Sequence, residues 1–117
     1  MLESQIVTED NIVVSPTGLY ILEMTVRNID NVSSFSFCIK NVSDDSEVFV
    51  CNDYYRLRDI TYLLWGENDT VWIYSGDLGT FYWEKDSEIW QKKTYAENIG
   101  NIEVPQALKE LKPKYFD

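Results

Sequence analysis

The 117-residue chain contains no histidine. That removes the commonest general base at neutral pH and the commonest neutral metal ligand. Its two cysteines stand thirteen positions apart, which is not a zinc-site spacing. There is no G-x-x-x-x-G-K-S/T loop and no G-x-G-x-x-G turn, and G-D-L-G at 76–79 reads as a hairpin turn, so no cofactor is expected. Basic side chains are scarce as well, ten Lys and Arg against twenty Asp and Glu, for a net charge of -10. Such an excess repels phosphate backbones and anionic membranes, which argues against both as partners, and makes a cationic protein the natural complement. No stretch approaches the roughly 18 apolar residues of a membrane helix. The opening MLESQIVTED has neither the basic n-region nor the apolar core of a secretory signal. A soluble, cytoplasmic protein is therefore expected, in which the N-x-S/T matches at Asn31, Asn41 and Asn68 are chance and both cysteines are free thiols, with a disulfide able to form after purification.

What the chain does have is apolar and aromatic content, 44% and 15% of its residues, enough for one folded domain over 1–117. Short runs of Val, Ile, Phe, Tyr and Trp alternate with clusters of Asn, Asp, Gly and Ser, the pattern of an antiparallel sheet. Strands are expected near 11–14, 19–27, 34–41, 47–52, 61–65, 71–75, 80–84 and 88–95. Only about the last fifteen residues look helical: Pro105 suits a first helical turn, PQALKELK puts Leu108 and Leu111 on one face, and Lys109, Lys112 and Lys114 complement the helix dipole. The fold class is mainly β, a single-domain antiparallel meander, sandwich or half-barrel, with one short C-terminal helix.

Turn positions suggest registers. A hairpin closed at Asp44–Asp45 would set Ile39 opposite Val50 and Cys38 opposite Cys51, with Phe35, Phe37, Ile39, Val48 and Val50 in the core and the two thiols neighbours on the other face. The Cα atoms of such a pair would lie about 4.5 Å apart, near the lower end of disulfide geometry. All four tryptophans fall within 65–90 at separations of seven, eleven and seven. Turns at Asn68–Asp69, Asp77–Leu78 and Asp86–Ser87 would align Trp65, Trp72, Trp83 and Trp90 in one row, flanked by Leu63, Tyr74 and Phe81. Tyr62, Leu64, Val71, Ile73, Tyr82 and Ile89 would point the other way. Both faces are apolar, so the row is expected to serve mainly as core.

Between 44 and 88 eleven acidic side chains face three basic ones, a local net of -8, interleaved with tyrosines. Acidic turns keep an aromatic sheet soluble; they can also form a rim around tyrosine anchors that steers a basic partner to its place. The expected contact set is Asp44, Asp45, Glu47, Asp53, Asp59, Glu67, Asp69 and Asp77, with Tyr54 and Tyr55 as anchors. Carboxylate pairs such as Asp77 with Glu84, or Glu67 with Asp69, are the catalytic alternative, disfavoured in a domain with no long loops to wall a cleft. The clusters DDSE and ENDT offer oxygen ligands without EF-hand spacing, so no metal site is expected.

The stretch VWIYSGDLGTFYWEK, residues 71–85, resembles segments of small acidic bacterial immunity proteins that accompany polymorphic or contact-dependent growth inhibition toxins. The resemblance covers roughly a third of the chain and carries no catalytic motif. It implies a non-enzymatic inhibitor, monomeric when free, that binds one cognate basic toxin, expected to be a nuclease. The rival readings are a carbohydrate-binding module using an exposed aromatic row, and a structural assembly subunit.

Overall fold

The computed structural model describes residues 3–57, 61–76 and 78–116. Among the described residues, nine strands form two antiparallel sheets, followed by one short α-helix. The first sheet contains β1 (Val13–Val14), β2 (Tyr20–Ile29), β3 (Val32–Asn41), β4 (Glu47–Val50) and β5 (Tyr55–Arg56), with β4 and β5 both paired to β3. The second is a meander of β6 (Thr61–Trp65), β7 (Val71–Ser75), β8 (Gly79–Asp86) and β9 (Ile89–Thr94). Strands β2 and β3 pair along their whole length about Asp30 and Asn31. Both turn residues have positive φ, the left-handed conformation that a two-residue hairpin demands and Asp and Asn tolerate. The expected strands are all present; β5, too short to announce itself in the sequence, is an addition.

The sheets face each other across a core of Leu22, Phe35, Phe37, Ile39, Leu63, Trp65, Val71, Ile73, Trp83 and Trp90. Phe37 meets Trp83 edge-on at 4.8 Å, and Tyr20 meets Trp90 in the same way at 5.5 Å. Trp65 also donates its indole N–H across the layers to the carbonyl of Val13. Alternation along the second sheet leaves its other face equally apolar, and the C-terminal segment covers it. Leu64, Trp72, Tyr74 and Tyr82 pack there against Val104, Ala107, Leu108 and Phe116. Helix α1 (Gln106–Leu111) is shorter than expected: it begins directly after Pro105 and is followed by Pro113, and its buried face carries Ala107 and Leu108 while Leu111 is half-buried.

The registers differ from those expected, because the loops have other lengths. Between β6 and β7 the loop is the three residues Glu67–Asp69, with Asn68 and Asp69 both left-handed, so Trp72 lies opposite Leu64 rather than Trp65. The β7–β8 loop also spans three positions, which sets Trp72 opposite Tyr82, while a two-residue turn at Ser87–Glu88 sets Trp83 opposite Lys92 and Trp90 opposite Lys85. The tryptophans therefore form no single row: Trp65, Trp83 and Trp90 face the sandwich core, and Trp72 faces the helix. All four are buried, Trp65 most exposed at 8%. Gly66 makes the closure possible, since a Cβ there would stand 2.4 Å from the Trp72 indole nitrogen.

The β3–β4 hairpin also slips. Asn41 and Ser46 close it, Asp45 takes a left-handed conformation, and an irregularity after Ile39 sets Ile39 opposite Phe49 and Cys38 opposite Val50. A one-residue slip exchanges the faces of a strand. Phe49 and Cys51 point into the core, whereas Val48 and Val50 are exposed, Val50 to 51%. Cys38 and Cys51 are consequently not cross-strand neighbours; both are buried free thiols, on opposite faces of the sheet.

Candidate functional site

One end of the sandwich gathers three acidic turns. The start of β2 pairs with the end of β3, so the 15–19 turn lies beside the β3–β4 loop, where the Val42 amide bonds to the Leu19 carbonyl. The β6–β7 loop is tied to the same place by Asp69. Its carboxylate accepts hydrogen bonds from the Ser15 hydroxyl at 3.2 Å, from the Thr17 amide at 3.2 Å, and from the Thr17 hydroxyl. The β8–β9 turn joins them through the Tyr20–Trp90 contact. Exposed at this end are Asp44, Asp45, Glu67, Asp86 and Glu88. Among them lie Leu19, Val42 and Ile89, which are also exposed, and a depression of about 230 Å³ lined by Gly18, Leu19, Tyr20, Asn41, Val42 and Ser43.

The expected contact residues divide into three groups. Asp44, Asp45, Glu47 and Glu67 are exposed, as a contact role requires. The Ser46 hydroxyl and amide bond to Asp44 at 2.7 and 3.0 Å, which fixes the turn and holds the Asp44 carboxyl below its ordinary pKa. Lys40 sits 3.3 Å from Glu23 and 4.0 Å from Asp45, and the Glu23 hydrogen bond raises its pKa. Burial, followed by the charge of Glu23, pushes the nearby Cys38 thiol upward. Asp53 and Tyr54 form the second group, lying along the β4–β5 link away from the acidic end. Asp53 is ion-paired to Lys92 at 2.9 Å, and half-buried Tyr54 stacks under Arg27 at 5.7 Å.

The third group is buried and presents no surface in the isolated protein. Asp69 is only 6% exposed and serves as the internal tie just described. Tyr55 is 3% exposed and packs on Phe35 and Phe81 inside the core, because its strand pairs with Phe35 on β3. Asp59 and Asp77 lie outside the described residues. Asp86 and Glu88 share this exposed acidic end but are not in the expected set, although the rule that selects the other acidic turns applies equally to KDSE.

Glu84, one proposed half of a catalytic pair, is held in an ion pair by Lys93. Glu67 faces a shallow depression shared with Gln5, Pro16 and Pro105, whereas Asp69 is turned away toward Ser15 and Thr17. Among the described residues, no three Cys, Asp or Glu side chains converge as a metal site would, and no helix is long and apolar enough to cross a membrane. The tryptophan platform of a carbohydrate-binding surface is not at the surface. The chain matches no family model, and no curated protein or solved structure matches it.

Proposed function

We propose that this protein is an immunity-type inhibitor that binds a cognate basic toxin domain through the acidic end of its sandwich. The observation that carries the reading is the convergence of the β3–β4, β6–β7 and β8–β9 turns, which sets five exposed carboxylates around Leu19, Val42 and Ile89. An apolar centre within a charged rim is the composition of a protein-recognition patch, the rim steering the encounter and the centre holding the complex. A toxin that cleaves nucleic acid needs a cationic groove for phosphate, and an acidic protein surface can fill such a groove or dock beside it. The buried tryptophans favour this reading over carbohydrate binding, which would need them exposed.

The test is affinity capture from source cells at low and moderate salt, followed by growth assays with the captured protein. A basic protein retained as salt rises, lethal when expressed alone and harmless when co-expressed with this chain, is the expected outcome. The variant Asp44→Lys/Asp45→Lys/Glu67→Lys should bind more slowly, with a weaker salt dependence. Full protection by that triple variant would take the acidic end out of the interface.

A further inference from the structure

The seam between β9, an edge strand, and the β4–β5 link holds a cluster that the acidic end does not use. Lys92 pairs across from Trp83, so its side chain leaves the edge strand on the inward face, the face of Trp83 and Phe81. Its ammonium reaches Asp53 Oδ2 at 2.9 Å. It also sits 4.5 Å from the centre of the Phe81 ring, 5.8 Å from Trp83 and 5.9 Å from Tyr55, all within the reach of about 6 Å over which a ring face attracts a cation. Three rings and a carboxylate make a cation cage, and its occupant is the chain's own lysine.

One atom of this cage is left over. The Tyr55 hydroxyl is wholly buried and makes no hydrogen bond of ordinary length among the described residues; the Lys92 ammonium, held by Asp53, reaches toward it without closing a full bond, a condition that native structures rarely tolerate. An ammonium head is compact and is drawn to Asp53. A guanidinium is planar, stacks on aromatic faces and presents five N–H donors in a rigid fork, enough to serve the carboxylate and the phenol together. We infer that Asp53, Tyr55, Phe81 and Trp83 form a site for a guanidinium group, an arginine side chain of the basic partner, which Lys92 fills in the isolated protein. The origin of that arginine rests on the proposed inhibitor function; the chemistry of the cage does not. Binding at the seam is an exchange of one cation for another. The arginine takes Asp53, whose side chain is 53% exposed and open to approach, and Lys92 swings into solvent. The Asp53 carboxylate keeps a cationic partner throughout, so no charge is left unpaired by the exchange.

The alternative role for Lys92 is a charge placed inward on an edge strand to discourage pairing with another chain, which gives the seam no preference for guanidinium. Two measurements on the protein alone separate the two. Lys92→Arg should raise the melting temperature, and adding Tyr55→Phe should abolish that gain. Lys92→Ala, titrated with ethylguanidinium at low millimolar concentration, should show a saturable shift of the Trp83 indole N–H resonance. That binding should be about tenfold weaker for ethylammonium, for want of the second hydrogen bond, and lost in Lys92→Ala/Asp53→Asn. No saturable shift, or equal binding of the two cations, overturns the inference. Where Lys92→Ala does not fold, a Lys92→Arg melting temperature at or below that of the wild type overturns it. Neither measurement involves a toxin, so a failure here is distinguishable from failure of the inhibitor function.

Discussion

Asp69 and Tyr55 show how burial decides what a polar side chain does. A carboxylate on a turn is ordinarily solvated, but Asp69 turns inward to three donors on Ser15 and Thr17 and joins one sheet's loop to the other's. Asp69→Ala would strand those donors and should cost about 1–3 kcal/mol in urea unfolding, whereas Glu67→Ala, two residues away and exposed, should change stability by less than about 0.5 kcal/mol. Tyr55 titrates in the opposite sense from a paired acid. Burial pushes its phenol up to about 12 from 10, against the opposing pull of Lys92, while Asp53 and Cys51 add to the rise. Burial alone would lower the Lys92 ammonium, yet its bond to Asp53 and the nearness of Tyr55 bring it above the ordinary lysine value. A raised folded pKa gives stability that is complete below about pH 10 and lost as pH climbs toward about 12, at most about 2–3 kcal/mol for this group. Denaturation of wild type and Tyr55→Phe compared across that interval should show the gap widening in favour of the variant.

At the scale of elements, loop parity separates what the sequence reveals from what it hides. Strand positions were legible because aromatic and β-branched runs and Asn, Asp and Gly clusters mark them directly. Registers were not, since one residue more or less in a loop exchanges the two faces, and nothing in ENDT announces that Asn68 and Asp69 both adopt left-handed backbone to close a three-residue loop. The same slip at Asp45 put Phe49 and Cys51 inside in place of Val48 and Val50. The candidate site suffered likewise: exposed acids on loop tips were legible, but the inward turn of Asp69 and the core position of Tyr55 depend on contacts 52 and more residues away or on pairing with β3. The hairpin register has a chemical consequence for the thiols. Buried on opposite faces, and with both pKa values raised first by burial, Cys38 and Cys51 should remain unreactive toward a thiol reagent in the native protein. Two equivalents should react after denaturation, and the migration on non-reducing gels should match that of the reduced protein.

For the molecule as a whole, charge sets the balance between solubility and cohesion. Ion pairs hold Lys40, Lys92, Lys93 and Lys109 to acids, which leaves most of the acidic excess on the turns and facing solvent. Repulsion within a chain of net charge -10 weakens the compact state and is screened within about 8–10 Å at physiological salt. The melting temperature at neutral pH should therefore rise as sodium chloride goes from about 10 mM to several hundred millimolar, where screening tightens. A fall over that range would mean that the ion pairs outweigh the general repulsion.

The division of the tryptophans between two faces also gives the protein separate reporters. Trp65, Trp83 and Trp90 sense the interior between the sheets, while Trp72, stacked on Tyr82 at 4.9 Å with its indole N–H bonded to Thr70, senses the layer built by the C-terminal segment. Replacing Trp72 by phenylalanine would leave fluorescence blind to that layer, and replacing the other three would leave it watching nothing else. Should the C-terminal layer detach before the sandwich melts, the two signals would part at intermediate denaturant; should it melt with the rest, they would superimpose. The chain thus carries its own means of showing whether the outer layer is a removable cover or part of one cooperative unit.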